Sequence, residues 1–204
     1  VSRETFVREF SYKGYHDLRI QLLGSYQPFN AALAIEAIDA LRDRGWQISE
    51  EAMRRGLMNT RWPGRFEVVA QAPTFIIDGS HNPQGAQTLL ESLQSNFPDQ
   101  RPVFIVGVLK DKDYQALLEP LVPWGAAFVV VEPPTKRALP VSDLARAIHS
   151  QAPQARLHEA HGFPEAVAQA CELAGKEGLV CAFGSLYSIA SLKAAVAAQT
   201  QPVA

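Results

Sequence analysis

The chain has 204 residues, 47% hydrophobic and 20% charged, with a formal net charge of -2, which suits one well-packed domain with an appendage. Scattered Lys and Arg, never in blocks longer than a pair, exclude nucleic acid as the main expected partner, and no apolar run approaches the roughly 18 residues of a membrane span. Two cysteines, Cys171 and Cys181, read as a reduced, buried pair in a cytoplasmic protein.

The opening residues carry no signal-peptide pattern, and the missing initiator Met makes a cut fragment an open expectation. From 5 to 23 the loose alternation of Phe6, Val7, Phe10 and Tyr12, then Leu18, Ile20 and Leu22, predicts two strands around a turn near Gly14. Residues 30–44 are Ala-rich, with Leu33, Ala34, Ala37, Ile38 and Leu41 at helical spacing, and Gly45 stops that helix. Ser49 caps a second predicted helix over 49–58, with Glu50 and Glu51 in its first turn. Two strands and two helices cannot close a core alone, so 1–61 reads as the tail of another domain and 62–204 as a domain in its own right.

After Pro63 the rhythm changes. Strand-like runs at 66–70, 74–77, 102–108, 126–131, 156–158 and 179–183 alternate with helix-like stretches at 84–95, 114–121, 141–151, 164–174 and 186–198. This pattern predicts an α/β fold: a Rossmann-like, mostly parallel sheet with helices on both faces and right-handed crossovers. Residues 133–137, Pro-Pro-Thr-Lys-Arg, read as a stiff surface loop at a strand end. The three Trp residues are expected to pack where the two parts meet.

Open α/β sheets bind ligands beyond the carboxyl ends of their strands, and polar residues fall there repeatedly. Asp78-Gly79-Ser80-His81-Asn82-Pro83 follows the run 74–77. Asp78 can accept from ribose hydroxyls or hold a metal-bound water; His81 can carry a proton, contact a ligand or fix its loop; Gly79 permits close backbone approach. Arg65, after Pro63-Gly64, can clamp a phosphate or form a surface ion pair. It lies one hairpin away from Asp78, so the two can meet at one cleft. Lys110 and Lys112 follow the strand 102–108 and suit an anionic substrate, while Asp113 suits a helix cap. Ser185 can cap a helix or bind an anion beside exposed N–H groups. Asn30 and Gln27, at the start of the Ala-rich helix, can meet an adenine edge, although Asn30 equally suits a helix cap. His149, His158 and His161 show no ligand spacing. The phosphate cradle, dinucleotide fingerprint, zinc-binding H-E-x-x-H and nucleophile elbow are all absent from the sequence.

Leu22-Leu23-Gly24-Ser25-Tyr26-Gln27 with Asn30-Ala31-Ala32, Trp62-Pro63-Gly64-Arg65-Phe66-Glu67, Asp78 to Pro83, Asp111-Lys112-Asp113 and Gly184-Ser185-Leu186-Tyr187 follow one another across nearly the whole chain. Together they resemble the folylpolyglutamate synthase/dihydrofolate synthase branch of the Mur ligase superfamily. The departures are small: Tyr26 stands where His is more usual, and Ser80 where Ala or another small residue is usual. The resemblance implies a C-terminal Mur-ligase-type domain at 62–204, with 1–61 as the end of an N-terminal P-loop ATPase domain otherwise missing, and an active site in the cleft between such domains. It implies a monomeric ligase that uses ATP and Mg²⁺ to join L-glutamate to a folate or dihydropteroate carboxylate through an acyl phosphate. By the same resemblance Asn30 contacts adenine, Arg65 the terminal phosphates and Asp78 the ribose. His81, Lys110 or Lys112, and Ser185 then lie near the incoming glutamate, and the Mg²⁺ ligands belong to the missing domain. The chain alone is expected to be inactive. Competing readings are a nucleotide-binding or partner-docking module, for which exposed apolar residues on 1–61 would speak, and a hydrolase with a Ser185–His81–Asp78 triad.

Overall fold

The computed structural model describes residues 6–199; residues 1–5, which include the start of the first predicted strand, lie outside the described residues. The chain divides into two compact units, Val1–Trp62 and Pro63–Ala204.

In the first unit β1 (Arg8–Tyr12) and β2 (Tyr15–Ile20) form an antiparallel pair, followed by α1 (Gln27–Asp43) and α2 (Glu50–Asn59). Leu18, Ile20, Ala31, Ile35, Met53 and Leu57 form a small buried cluster. Helix α1 starts three residues earlier than its apolar spacing suggests, because Pro28 lies in the first turn, where its missing N–H costs nothing. Asn30 therefore sits inside the helix and is not its cap. Ser49 caps α2, accepting from the Ala52 N–H at 3.1 Å. Only one stripe of α1 is covered: Phe29 and Leu33 are 78% and 71% exposed, and Ala34, Ala37, Ala40 and Leu41 extend that apolar face along the helix.

The second unit is a six-stranded sheet in the order β3-β4-β8-β5-β6-β7. It contains β3 (Glu67–Gln71), β4 (Thr74–Ile77), β5 (Val103–Val106), β6 (Ala127–Val131), β7 (Leu157–Ala160) and β8 (Leu179–Phe183). Strand β3 pairs antiparallel with β4 as a hairpin; every other neighbour is parallel. Strands β4, β5, β6 and β8 are buried at every position, as expected where helices cover both faces, so their sequences are unbroken apolar runs. One face packs against α6 (Phe163–Ala174) and α7 (Ile189–Gln199) through Phe75, Ile77, Ile105, Val129 and Val180. Side chains alternate along a strand, so Ile76, Phe104, Phe128 and Phe183 face the other way, where Phe104 meets Phe128 and Phe183 at centroid distances of 5.8 and 5.3 Å. Helices α3 (Pro83–Asn96), α4 (Tyr114–Leu118) and α5 (Val141–Gln151) accompany that second face.

Two helices differ from their sequence patterns. Helix α4 ends at Leu118, and the chain continues as a 3₁₀ turn, Val122–Trp124; Pro120 and Pro123 remove donors that a continuous helix needs. The last helix begins as a 3₁₀ turn, Leu186–Ser188, before α7. Of the three tryptophans, Trp46 and Trp62 are both 63% exposed and Trp124 is half-buried in the second unit.

Candidate functional site

Strands β4, β8, β5 and β6 are consecutive in the sheet, parallel and in register, with Ile77 beside Ala182 and Val106 beside both Phe183 and Val130. Their carboxyl ends therefore release four loops along one edge. These carry Asp78 to Asn82, Gly184 to Tyr187, Gly107 to Asp113, and Glu132 to Arg137.

The β4 loop is organised by the Asp78 carboxylate, a buried group at 5% exposure. Its Oδ2 accepts from the Phe66 N–H at 2.8 Å, and its Oδ1 accepts from the Ser80 N–H at 2.8 Å and from the Ser80 hydroxyl. The loop is also tied to its neighbours, since the Asp78 N–H donates to the Ala182 carbonyl at 2.9 Å and the Gly79 N–H to the Gly64 carbonyl at 2.7 Å. A Cβ on Gly79 would lie 2.3 Å from Leu186 Cδ2 and 3.2 Å from the Gly64 oxygen, so a larger residue would have to displace the Leu186 side chain and ease the turn. Asn82 caps α3 by accepting from the Gly85 N–H at 2.7 Å.

His81 Nδ1 lies 2.8 Å from the Gly79 carbonyl. A carbonyl only accepts, so Nδ1 is the donor here, and in the neutral ring Nε2 is the lone pair. Arg65 is half-buried and has no ion-pair or hydrogen-bond partner among the described residues, so it is not the surface ion pair that its position allowed. Its guanidinium remains available to an anion. Glu67 fixes the turn before it, accepting from the Gly64 N–H at 2.8 Å and pairing with Lys193 at 2.6 Å.

On the β5 loop, Lys110 is exposed and Lys112 half-buried, and neither ammonium has a partner among the described residues. Asp113 caps α4 through the Ala116 N–H at 3.1 Å. Ser185 is buried and accepts from the Tyr187 N–H at 3.2 Å, capping the 3₁₀ turn. Asn30 belongs to the first unit, where its amide donates to Gln27 Oε1 at 3.1 Å. The triad does not form: His81 bonds Gly79, Ser185 bonds Tyr187 and Asp78 bonds Phe66 and Ser80, with no relay among the three.

Arg137, in the β6 loop, escapes the sequence reading as a site residue. Its guanidinium pairs with Asp111, Nε donating to Oδ1 at 3.1 Å and Nη2 to Oδ2. That hydrogen bond, with the charge behind it, raises the Arg137 pKa and holds the Asp111 carboxyl below its ordinary value. The available signal was a cation pair, Lys136-Arg137, at the carboxyl end of a buried strand. Among the described residues no three His, Cys, Asp or Glu side chains group as a metal site, and no helix is long and apolar enough to cross a membrane.

Residues 64–186 match the family model described as Mur ligase, glutamate ligase domain. The chain is 39% identical over 119 residues to the dihydrofolate synthase/folylpolyglutamate synthase of Bacillus subtilis, covering 58% of this chain and 28% of that relative. It is 34% identical over 161 residues to the Mycobacterium tuberculosis enzyme of the same description, covering 78% of this chain and 33% of the relative. The solved structure of Mycobacterium tuberculosis folylpolyglutamate synthase complexed with ADP superposes with a TM-score of 0.76 at 32% identity, over 93% of this chain and 43% of that one. The chain thus spans about a third of the length of these curated relatives.

Proposed function

The chain belongs to the Mur ligase family, to its glutamate ligase domain of folylpolyglutamate/dihydrofolate synthase type, and we propose that it is the ATP- and glutamate-contacting part of an ATP-dependent amide ligase. The reaction joins L-glutamate to a folate or dihydropteroate carboxylate. The observation that carries this reading is the set of three adjacent strand-end loops, after β4, β8 and β5, that carry Asp78, His81, Lys110, Lys112 and Ser185 along one sheet edge. On this reading residues 1–61 are the end of an ATPase domain, and the protein works as a cytoplasmic monomer.

Arg65, an unpaired fork beside a fixed turn, has the chemistry to hold ATP phosphates. Asp78 Oδ2, with a single donor, retains a lone pair for a ribose hydroxyl; Asn30 keeps its amide oxygen for an adenine edge. Among the described residues no cluster of His, Cys, Asp or Glu forms a metal site; on this reading the Mg²⁺ ligands belong to the preceding domain. A carboxylate is a poor acyl donor, and ATP supplies the phosphoryl group that makes it an acyl phosphate. When the glutamate nitrogen attacks that carbonyl, phosphate leaves and the nitrogen must shed a proton. His81 Nε2, a lone pair when the ring is neutral, has the chemistry to take it. Lys110 or Lys112 and Ser185 then hold the anionic amino acid.

The uncovered apolar face of α1, with Phe29 and Leu33, supports a second reading as a docking module for a separate ATPase part. A chimera separates the two: this chain replaces the corresponding C-terminal portion of the Bacillus subtilis relative. The expected result is glutamate-dependent ADP release and amide product with dihydropteroate or a folate, and none from the 204 residues alone. A chimera that folds and binds ATP without making amide overturns the catalytic reading in favour of docking, and ADP release by the chain alone overturns the division of labour.

A further inference from the structure

The β5 and β6 loops are joined by backbone as well as side chains. The Lys110 N–H donates to the Arg137 carbonyl at 2.9 Å, the Leu139 N–H donates to the Val108 carbonyl at 2.9 Å, and Leu109 forms an antiparallel bridge with Ala138. Arg137 thus stands on a fixed base, and the Arg137 N–H is held by Thr135 Oγ1 at 3.3 Å.

A guanidinium has two edges that can each receive a carboxylate in parallel hydrogen bonds. Asp111 occupies the edge formed by Nε and Nη2. The end formed by Nη1 and the second Nη2 proton remains open, in a side chain 49% exposed. Tyr187, on the β8 loop, lies near the same guanidinium. Lys110 and Lys112, which have no ion-pair partner among the described residues, add two cations on the loop that Arg137 clasps, while Asp111, which faces it, is already committed. A cation whose orientation is set from one side and whose other side is vacant is built to receive an anion of fixed, planar shape.

We propose that Arg137, positioned by Asp111, is a specificity-determining seat for a carboxylate of the incoming amino acid. The inference rests on the ligase reading above, and it names what that reading leaves unassigned: the group that selects a dicarboxylic amino acid. Lys110 and Lys112 supply attraction without direction, since an ammonium is a point charge. Arg137 supplies the direction.

The test is a titration of the isotopically labelled 204-residue chain, following backbone amide shifts of the four loops. Ligands are L-glutamate, L-glutamine, 4-aminobutyrate and ADP. Glutamine lacks the side-chain carboxylate and 4-aminobutyrate the α-carboxylate, so the weaker of the two identifies the carboxylate that Arg137 holds. Arg137→Ala is expected to weaken glutamate about tenfold or more, to erase the discrimination against that one analogue, and to leave the ADP response unchanged. Arg137→Lys is expected to restore part of the affinity but not the discrimination. A structural role alone would weaken all ligands together. If the parent chain binds glutamate and Arg137→Ala keeps the same affinity and the same discrimination, the inference falls and the ligase reading stands. If the parent chain binds no glutamate, both fall.

Discussion

Removing the Asp78 carboxylate is expected to destabilise the second unit before it affects any ligand. Three donors converge on it, the Phe66 N–H, the Ser80 N–H and the Ser80 hydroxyl, at a position only 5% exposed. The hydroxyl has another acceptor, the Gly85 carbonyl at 3.0 Å, so Asp78→Ala leaves the two backbone N–H groups stranded. Each stranded buried donor costs about 1–3 kcal/mol. Losing a buried charge returns part of that, for a net loss of about 3 kcal/mol. Asp78→Asn has one oxygen and one amino group, so it satisfies one side and sets N–H against N–H on the other. We expect about 2 kcal/mol for it, although it keeps the shape. Urea unfolding followed by tryptophan fluorescence reads this change. Trp46 and Trp62 are already exposed, and the signal comes from half-buried Trp124 in the second unit. With a slope of about 2 kcal/mol per molar urea, the Ala variant's midpoint falls by about 1.5 M. If Asp78→Asn unfolds within about 0.5 kcal/mol of the parent, the background of ordinary surface changes, the carboxylate does not organise the loop and its burial needs another cause.

Two further outcomes follow from the same unit. Gly184 has φ +111° and a Cβ there would lie 2.5 Å from the Gly107 oxygen, whereas Gly175, at φ +66°, has open space around it. Gly184→Ala is therefore expected to cost about 2–3 kcal/mol and Gly175→Ala about 1 kcal/mol, read as melting temperatures; equal losses would refute the close approach of the β8 and β5 loops. Cys181 is fully buried, and burial, with the Asp78 charge behind it, pushes its thiol well above the ordinary value, while half-buried Cys171 is raised by burial alone. A thiol reagent should leave Cys181 untouched in the native protein, modify Cys171 slowly, and modify both in denaturant; two equally fast native thiols would contradict the packing of β8.

What the sequence makes legible depends on how local the physics is. The four buried strands announce themselves because helices cover both faces, which leaves unbroken apolar runs such as Phe-Ile-Ile and Val-Phe-Ile-Val bounded by turn residues. Strand ends then locate the Asp78, Lys110 and Ser185 loops, since a parallel sheet gathers its carboxyl ends at one edge. Asn30 misleads for a local reason: Pro28 is compatible with a first helical turn, so the helix begins before its apolar spacing does. Asp78 is legible as important and illegible as a hub, because the Phe66 N–H that it accepts is brought to it by the β3–β4 hairpin. Arg137 shows where local reading ends. Its place at the end of β6 satisfies the same rule that picked out Lys110, and a strict application of that rule would have included it. Its orientation, however, is set by Asp111, 26 residues away, and only the pairing of β5 with β6 makes those two loops neighbours. A strand-end rule can say that a cation stands at the carboxyl edge of the sheet; which side of that cation is still open is a property of the fold.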